Sequence, residues 1–515
     1  MEIIFLYETA STSRSAAEEL RQGRTPPFAV IAGTQTGGRG RRGRSWNSPR
    51  GGIYLSVVLP PPQTPGALLG NIPLWTGVQT AVWLRKNFGF HAGLKWPNDL
   101  MFDGRKLGGI LVESGSEGQR QGPVIIGVGI NGRQAPDVSD NARETAATDA
   151  VALAEICSDI PDVRSLAESL ALHLETAWGG ADITGAGAAF LDWCPPAMRL
   201  FSEPASGRYW LAESVDADGA LVLSAVGQPQ QQTRLGSVDH QLIPVSRRHP
   251  APVFLADVGN TATKIKVLAS FWSDQEYGSA RVDHVGNSNG TLAGELLRLA
   301  QYSPTHGWPL YIAGVAPAHM SVLAAAAESA GFRPLTVAKR PVMRRGDNYP
   351  LNELGIDRMA AIEGCLAGST GSGTSVIASF GTALTVDVVH GNGIHAGGVI
   401  APGLGLSAKA LHEHTGLLPL IDPDLLRSHD SVGHSTHTAI AAGIAGQAAG
   451  LIERILAGQG AVGTDRSAPR LVLTGGGAGI AAGWFPQAEL AVDLVFRGLQ
   501  AMTGGGLLPG TSGSC

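Results

Sequence analysis

Cysteine is scarce in this chain: Cys157, Cys194, Cys365 and Cys515 are the only four among 515 residues, and none form a CxxC pair. That spacing argues against a zinc site and against a disulfide framework, so the chain reads as cytosolic. No uninterrupted run of eighteen apolar residues occurs, and no membrane span is expected. At the N-terminus Glu2 precedes an apolar run of only four residues, Ile3 to Leu6, which is wrong for a signal peptide. Neither sign of charge is in large excess, at net −5 and a pI near 6.3, so no global attraction to nucleic acid or to an anionic membrane is expected. Glycine, by contrast, is plentiful at 70 residues but has no fixed period. It clusters in short loops after apolar runs, where small residues let a backbone approach a ligand.

The length exceeds what one core accommodates, and two or three domains follow. Ile3–Leu6, Phe28–Ala32, Ile53–Leu59, Ile110–Glu113 and Val124–Ile130 read as strands, with helices expected over Ser13–Leu20, about Pro73–Phe88 and Val151–Trp178. This is a mixed α+β pattern. Between Met198 and Val245 short alternating runs flank an Asp-Ala-Asp-Gly turn, the pattern of a small β-barrel or meander. The proline-rich, charged segment Pro244–Pro252 reads as an interdomain linker. Beyond it VFLADVGNTATKIKVLA and VIASFGTALTVDVV each read as strand, glycine turn, strand, which suggests a duplicated α/β architecture. Alanine-rich helices are expected over Ser321–Ser329 and Thr438–Leu456.

Four motifs order the first half: GRGRRGR at Gly38–Arg44, KWPND at Lys95–Asp99, RKLGGILVE at Arg105–Glu113 and GVGIN at Gly127–Asn131. Glycines allow the first of these to fold tightly over a ligand, while its four arginines offer bidentate donors to carboxylate and phosphate oxygens. Alone, it could equally be a solvated basic loop touching RNA, Lys95 and Trp96 could be packing and surface residues, and Asp99 could merely cap a turn. In this order the four motifs resemble the catalytic domain of biotin protein ligases. The resemblance covers roughly residues 1 to 245 and implies a class II synthetase-like catalytic domain over 1–197 and a small β-barrel over 198–247, with a linker at 248–252.

That resemblance implies that Ser11, Thr12, Ser13, Gln35, Arg39, Gly40, Arg41 and Lys106 bind biotin, and that Asp99 and Asn131 lie on the ATP and magnesium side. It further implies that the biotin carboxylate attacks the α-phosphorus of ATP, with Lys106 and Arg39 offsetting the repulsion of two anions. A lysine of a biotin carboxyl carrier protein then takes the biotinyl group from the adenylate. Ligases that double as repressors carry an N-terminal winged helix-turn-helix, whereas here the first expected strand starts at Ile3; no sequence-specific DNA binding is expected.

In the second half, DVGNT at Asp257–Thr261 sets a carboxylate at the end of an apolar strand before a glycine turn, a pattern suited to magnesium and β/γ-phosphates or to an ordinary turn. With FGTALTVD at Phe380–Asp387, GIDR at Gly355–Arg358, GGVIAPG at Gly397–Gly403, GHST at Gly433–Thr436 and LTGGGA at 473–478, it resembles type III pantothenate kinases. These have a duplicated actin-like fold shared with sugar kinases and Hsp70, implied here for 253–515. By resemblance Asp257, Val258, Gly259, Asn260, Thr261, Ala262, Thr263, Lys264 and Thr382 face ATP, with Asp257 supporting magnesium. Asp357 is the implied general base toward the pantothenate hydroxyl, and Tyr349, Gly355, Ile356, Arg358 and Thr436 the implied substrate contacts.

Where many members have an aspartate serving a monovalent cation, this chain has Ser379, so weak or absent activation by potassium or ammonium is expected. Gly475–Gly477 reads as an adenine contact or a plain hinge, and His412, His414, His434 and His437 read as loop or surface residues. The family's homodimer implies that the ligase halves lie outermost. The chain is thus expected to be a bifunctional enzyme; a ligase carrying a catalytically silent kinase-like regulatory or dimerisation domain is the alternative.

Overall fold

A computed structural model describes the chain except for residues 63–69, 118–119, 137–148, 158–159, 237–241, 285–288, 339–343, 346–348, 351–352, 369–372, 392, 428–430, 460–467 and 505–515. Cys515 and the start of the 237–245 segment therefore lie outside the described residues.

The first half is built on a seven-stranded sheet. Its spatial order is Glu2–Leu6, Phe28–Ala32, Ile53–Leu59, Arg120–Ile130, Arg105–Glu117, Asp99–Phe102 and Gly93–Lys95, antiparallel except for the first pair. Phe28–Ala32 and Ile53–Leu59 are buried at every residue, which is why they read as continuous apolar runs instead of alternating ones. Helix Ile72–Phe88 covers one face with Leu74, Trp75, Trp83 and Leu84 and stops at Gly89, whose left-handed φ of 76° ends it.

The single helix expected over 151–178 is instead two, Leu153–Ile156 and Val163–Trp178. Pro161 lies between them and offers no N–H to an ongoing helix. Asp162 then caps the second helix, accepting from the Ser165 N–H at 3.0 Å.

Five strands form an antiparallel meander in the order Gln228–Leu235, Leu221–Ala225, Arg208–Val215, Leu200–Glu203 and Ile243–Pro244. Because neighbouring residues on a strand point to opposite faces, this sheet is shared. Phe201 and Trp210 join the core of the first half, while Leu200 and Leu211 join the core beneath the strand Val253–Val258. Tyr209 meets Trp308 edge-on at 4.8 Å, and Arg333 donates to Glu213 at 3.0 Å. The first half is therefore packed into the second, not an outlier attached by a tether.

The second half contains two mixed sheets of matching order. One runs Ser273–Asp283, Ala262–Ser270, Val253–Val258, Trp308–Gly314 and Phe332–Thr336. The other runs Arg344–Arg345, Ile394–Pro402, Ala383–Val389, Ser375–Phe380, Arg470–Thr474 and Glu489–Leu490. In each, a glycine-turn hairpin pairs antiparallel and the next strands add parallel, as the duplicated motifs suggested. Helices Ile356–Ala367 and Leu494–Gly504 cross between the sheets, where Gly498 sits against the backbone of Ala360 with no room for a side chain.

Candidate functional site

In the first half, the sequence-predicted residues converge on one cavity of about 510 Å³. Its wall is made by Ser11, Thr12, Ser13 and Gln35 at one end and by Arg39, Gly40, Arg41, Asp99 and Lys106 at the other. The meander closes it with Phe201, Leu235, Leu242, Ile243 and Pro244. The polar end is a fixed network: Gln35 Oε1 accepts from the Thr12 N–H at 2.9 Å, and Gln35 Nε2 donates to Ser48 at 2.8 Å. Ser56 donates to Thr12 at 2.8 Å and sits 3.1 Å from Ser13. Ser48 and Ser56 are buried, and no local motif marks them; an isolated bridge sets Ser48 beside Gln35, and packing of helix Thr12–Arg21 on strand Ile53–Leu59 brings Ser56 to Thr12 and Ser13.

At the other end Lys106 Nζ lies 2.6 Å from Asp99 Oδ1, across the antiparallel pair of strands that carry them. The same ammonium sits 5.4 Å from the Trp46 ring, within cation–π range. Arg39 reaches Glu113 at 3.3 Å and Arg41 reaches Asn98 at 3.4 Å, so two guanidinium groups stand over the cavity. Burial, followed by the charge of Arg42, lowers the pKa of Arg41. Burial also pulls Lys95 below its ordinary range, with Asp99 opposing and Lys106 and Arg44 adding to the effect. Such a concentration of cations is suited to anionic oxygens.

Gly129 of GVGIN lies under Trp46; a Cβ there would come within 2.7 Å of the indole nitrogen. Asn131, from the same motif, does not line the cavity. Its amide donates to the carbonyls of Lys106 at 3.2 Å and Val151 at 3.0 Å, so it braces the strand that bears Lys106. Trp96 ties the cavity wall to the meander by donating to the Gly219 carbonyl at 2.9 Å.

In the second half the two glycine hairpins face one another: Thr382 donates to Thr261 at 3.5 Å. Gly259 N–H bonds the Ala262 carbonyl and Gly381 N–H the Ala383 carbonyl, both at 3.0 Å, so each turn closes on itself, the first being one residue longer than the second. Val258 and Thr263 are buried within this hairpin, while Asn260 is exposed at its tip. Burial raises Asp257 to about 6, with Lys264 opposing and the charge of Asp357 adding to it. Asp357 occupies the first turn of helix Ile356–Ala367, next to its N-cap Gly355.

Arg358 and Tyr349 are brought together, with the phenol accepting from Arg358 Nη1 at 2.8 Å. Asp387 accepts from Arg358 Nη2 at 2.7 Å and lies 2.8 Å from His395 Nε2. Neither Asp387 nor His395 was singled out by sequence reasoning. Thr436 is exposed at the start of helix Thr436–Gln459. Ser379 is half-buried next to the second glycine turn. Behind that turn an apolar pocket of about 160 Å³ is lined by Phe380, Leu404, Gly477 and Ile480. Among the described residues no group of three or more His, Cys, Asp or Glu is placed to hold a metal.

The model of the biotin/lipoate A/B protein ligase family matches residues 5–131, and that of type III pantothenate kinase matches residues 253–458. The chain is 33% identical over 230 residues to the biotin–acetyl-CoA-carboxylase ligase of Paracoccus denitrificans, covering 42% of this chain and 92% of that protein. It is 35% identical over 151 residues to the bifunctional ligase/repressor BirA of Bacillus subtilis, covering 28% of this chain and 45% of the relative. To the type III pantothenate kinase of Acidiphilium cryptum it is 37% identical over 153 residues, covering 29% of this chain and 54% of that kinase. The chain thus spans about half the length of those two relatives. Among solved structures, the biotin protein ligase from Aquifex aeolicus in complex with biotin and ATP is 21% identical, covering 47% of this chain and 97% of that one at a TM-score of 0.36.

Proposed function

We propose that this chain, whose first half belongs to the biotin–acetyl-CoA-carboxylase ligase family and whose residues 253–458 match type III pantothenate kinase, is an enzyme with two ATP-dependent activities. The first is transfer of biotin, through biotinyl-adenylate, to a lysine of a biotin carboxyl carrier protein. The second is phosphorylation of pantothenate to 4′-phosphopantothenate. The domain limits that accompany this reading are 1–197, 198–247 and 253–515, with an actin-like duplication in the last.

The convergence of Lys106, Arg39 and Arg41 with the Ser11–Ser13 and Gln35 network on one cavity carries the ligase reading. The buried network would hold the polar ring of biotin, whose own donors and acceptors need partners once desolvated. The carboxylate would then lie toward Lys106 and Arg39, whose charges offset its approach to the α-phosphate of ATP beside Asp99. The arginine loop would shield the anhydride from water until the carrier's ε-amine attacks the acyl carbon and AMP leaves.

In the kinase half, the facing turns at Thr261 and Thr382 support the phosphate chain, and the apolar pocket at Phe380 and Gly477 suits adenine. Asp357 would accept the proton of the pantothenate hydroxyl as it attacks the γ-phosphorus. The donor set fits a magnesium ion: Asp257 is a single carboxylate held up near 6 by burial and by Asp357, and a cation would relieve both. When bound, magnesium would neutralise phosphate charge. Arg358, saturated by Asp387 and Tyr349, would act on pantothenate through Tyr349.

A homodimer through the kinase half is supported by exposed Ile400, Leu417 and Val432; Thr436, exposed four positions after Val432, joins the pantothenate site at the dimer face on this reading. Helix Thr436–Gln459 is long and apolar enough to cross a membrane by length and composition, with 28% of its apolar window buried. On the proposed reading a second copy covers it, and the protein works in the cytoplasm.

Two assays on one preparation test the reading: pantothenate phosphorylation, and biotin transfer to purified carrier protein. Asp357→Asn should abolish only the first and Lys106→Met only the second. No phosphorylation with potassium and ammonium both present would favour the silent-domain alternative, for which Ser379 is the supporting residue.

A further inference from the structure

The segment joining the halves is not a free tether. Ser246 and His249 exchange backbone hydrogen bonds, both at 3.1 Å, which makes a tight turn with Arg247 and Arg248 at its tip. Arg247 Nε donates to the Asp103 carbonyl at 3.0 Å and its Nη2 to the Asp103 carboxylate at 2.7 Å. Arg248 donates twice to Asp149 Oδ1, at 3.2 and 2.9 Å.

Both acceptors flank Lys106. Asp103 and Gly104, with φ of 51° and 68°, form the left-handed turn that launches the strand Arg105–Glu117. On the other side, the Asp149 carbonyl accepts the Lys106 N–H at 2.6 Å, and the Val151 N–H returns to the Lys106 carbonyl at 2.9 Å. The kinase half closes the arrangement. Trp272 lies against Gly104 so tightly that a Cβ there would meet its indole nitrogen at 2.6 Å. Gln500, from the last helix, holds the Trp272 turn by donating to the carbonyls of Ser270 at 3.3 Å and Ser273 at 2.8 Å.

We propose that Arg247 and Arg248 are positioning residues for Lys106, so that the adenylation site is held in register from the joining segment and the kinase half. A directed guanidinium fork fixes orientation as well as contact. An exposed pair such as Arg248–Asp149 contributes little to stability, which leaves orientation of the segment that receives the Lys106 N–H as its effect. The inference rests on the reading of Lys106 as the cation beside the reacting carboxylate.

The test uses the full-length protein and its Arg247→Met, Arg248→Met and doubly substituted variants. Biotin-dependent ATP–pyrophosphate exchange is measured alongside pantothenate phosphorylation. The expected result is a fall in exchange kcat of about 10- to 100-fold in the double variant, with the KM for biotin and the kinase rate within about twofold of the parent. Arg247→Lys should recover only part of the rate, since an ammonium cannot supply two directed donors. The exchanged pair Arg248→Asp with Asp149→Arg should restore the Arg248→Met loss, and it remains informative where Arg247→Met fails to fold. Parental exchange left unchanged in the double variant overturns the proposal alone, as does a fall in which kcat, KM and kinase rate decline together. No exchange in the parent overturns the adenylation reading and this inference with it.

Discussion

Asp387 holds Arg358 along one guanidinium edge, its two oxygens accepting from Nε at 3.1 Å and from Nη2 at 2.7 Å, with both side chains buried. Burial works against the charge of Arg358, yet hydrogen bonds to Asp387 keep its pKa above the ordinary value. Removing one partner leaves the other charged and buried. Asp387→Ala is therefore expected to destabilise the kinase half by about 3–5 kcal/mol, read as a shift of its denaturation midpoint.

Asp357 sits at the start of a helix with no partner-dependent packing role among the described hydrogen bonds. Asp357→Asn keeps the shape of the side chain and removes its basicity. Pantothenate phosphorylation should fall by about 10² to 10⁴, with an unchanged melting temperature and undiminished biotin transfer.

Lys106 meets Asp99 at 2.6 Å and Trp46 at 5.4 Å, so its ammonium is already directed into the cavity. Lys106→Met preserves the aliphatic contact with Trp46 while removing the charge. Biotin-dependent pyrophosphate exchange should drop by about 10² to 10³.

Ser379 is the penultimate residue of its strand, beside the second glycine turn, and carries no formal charge. Pantothenate phosphorylation is expected to change less than about twofold between potassium-free buffer and saturating potassium. Ser379→Asp is expected to create a dependence, because a carboxylate is a harder and stronger cation ligand than a hydroxyl.

Burial raises Asp103 to about 6, with Arg247 and Arg105 opposing the rise. The folded state thus binds this proton more tightly than the unfolded chain. The resulting stability is fully present below the unfolded carboxylate range and is lost as pH rises through about 6. Asp103→Asn does not titrate, so the stability of the parent relative to this variant should decline by about 1–3 kcal/mol between pH 4 and pH 7, measured by denaturant titration at each pH.

The sequence by itself determined the elements whose information is local. Gly38–Arg44, Asp257–Thr261 and Phe380–Asp387 each carry their turn glycines, charges and flanking apolar runs within one short stretch, and strands such as Phe28–Ala32 fall where the apolar run ends. The matching order of the two later sheets follows from that repeated local pattern. Pro161 is equally local, yet apolar recurrence across 151–178 masks the helix break that it imposes.

Only the tertiary structure decided what meets across long separations. Ser56 reaches Thr12 because helix Thr12–Arg21 packs on strand Ile53–Leu59, and Asn131 turns away from the cavity to brace Lys106. Leu200 and Phe201 are adjacent in sequence yet belong to different cores, because a pleated strand sends them to opposite faces. Arg247 and Asp103 are separated by 144 positions, and nothing in either neighbourhood names the other. Their pairing comes from burying the apolar faces of two halves against one meander, a global packing result that no local pattern encodes.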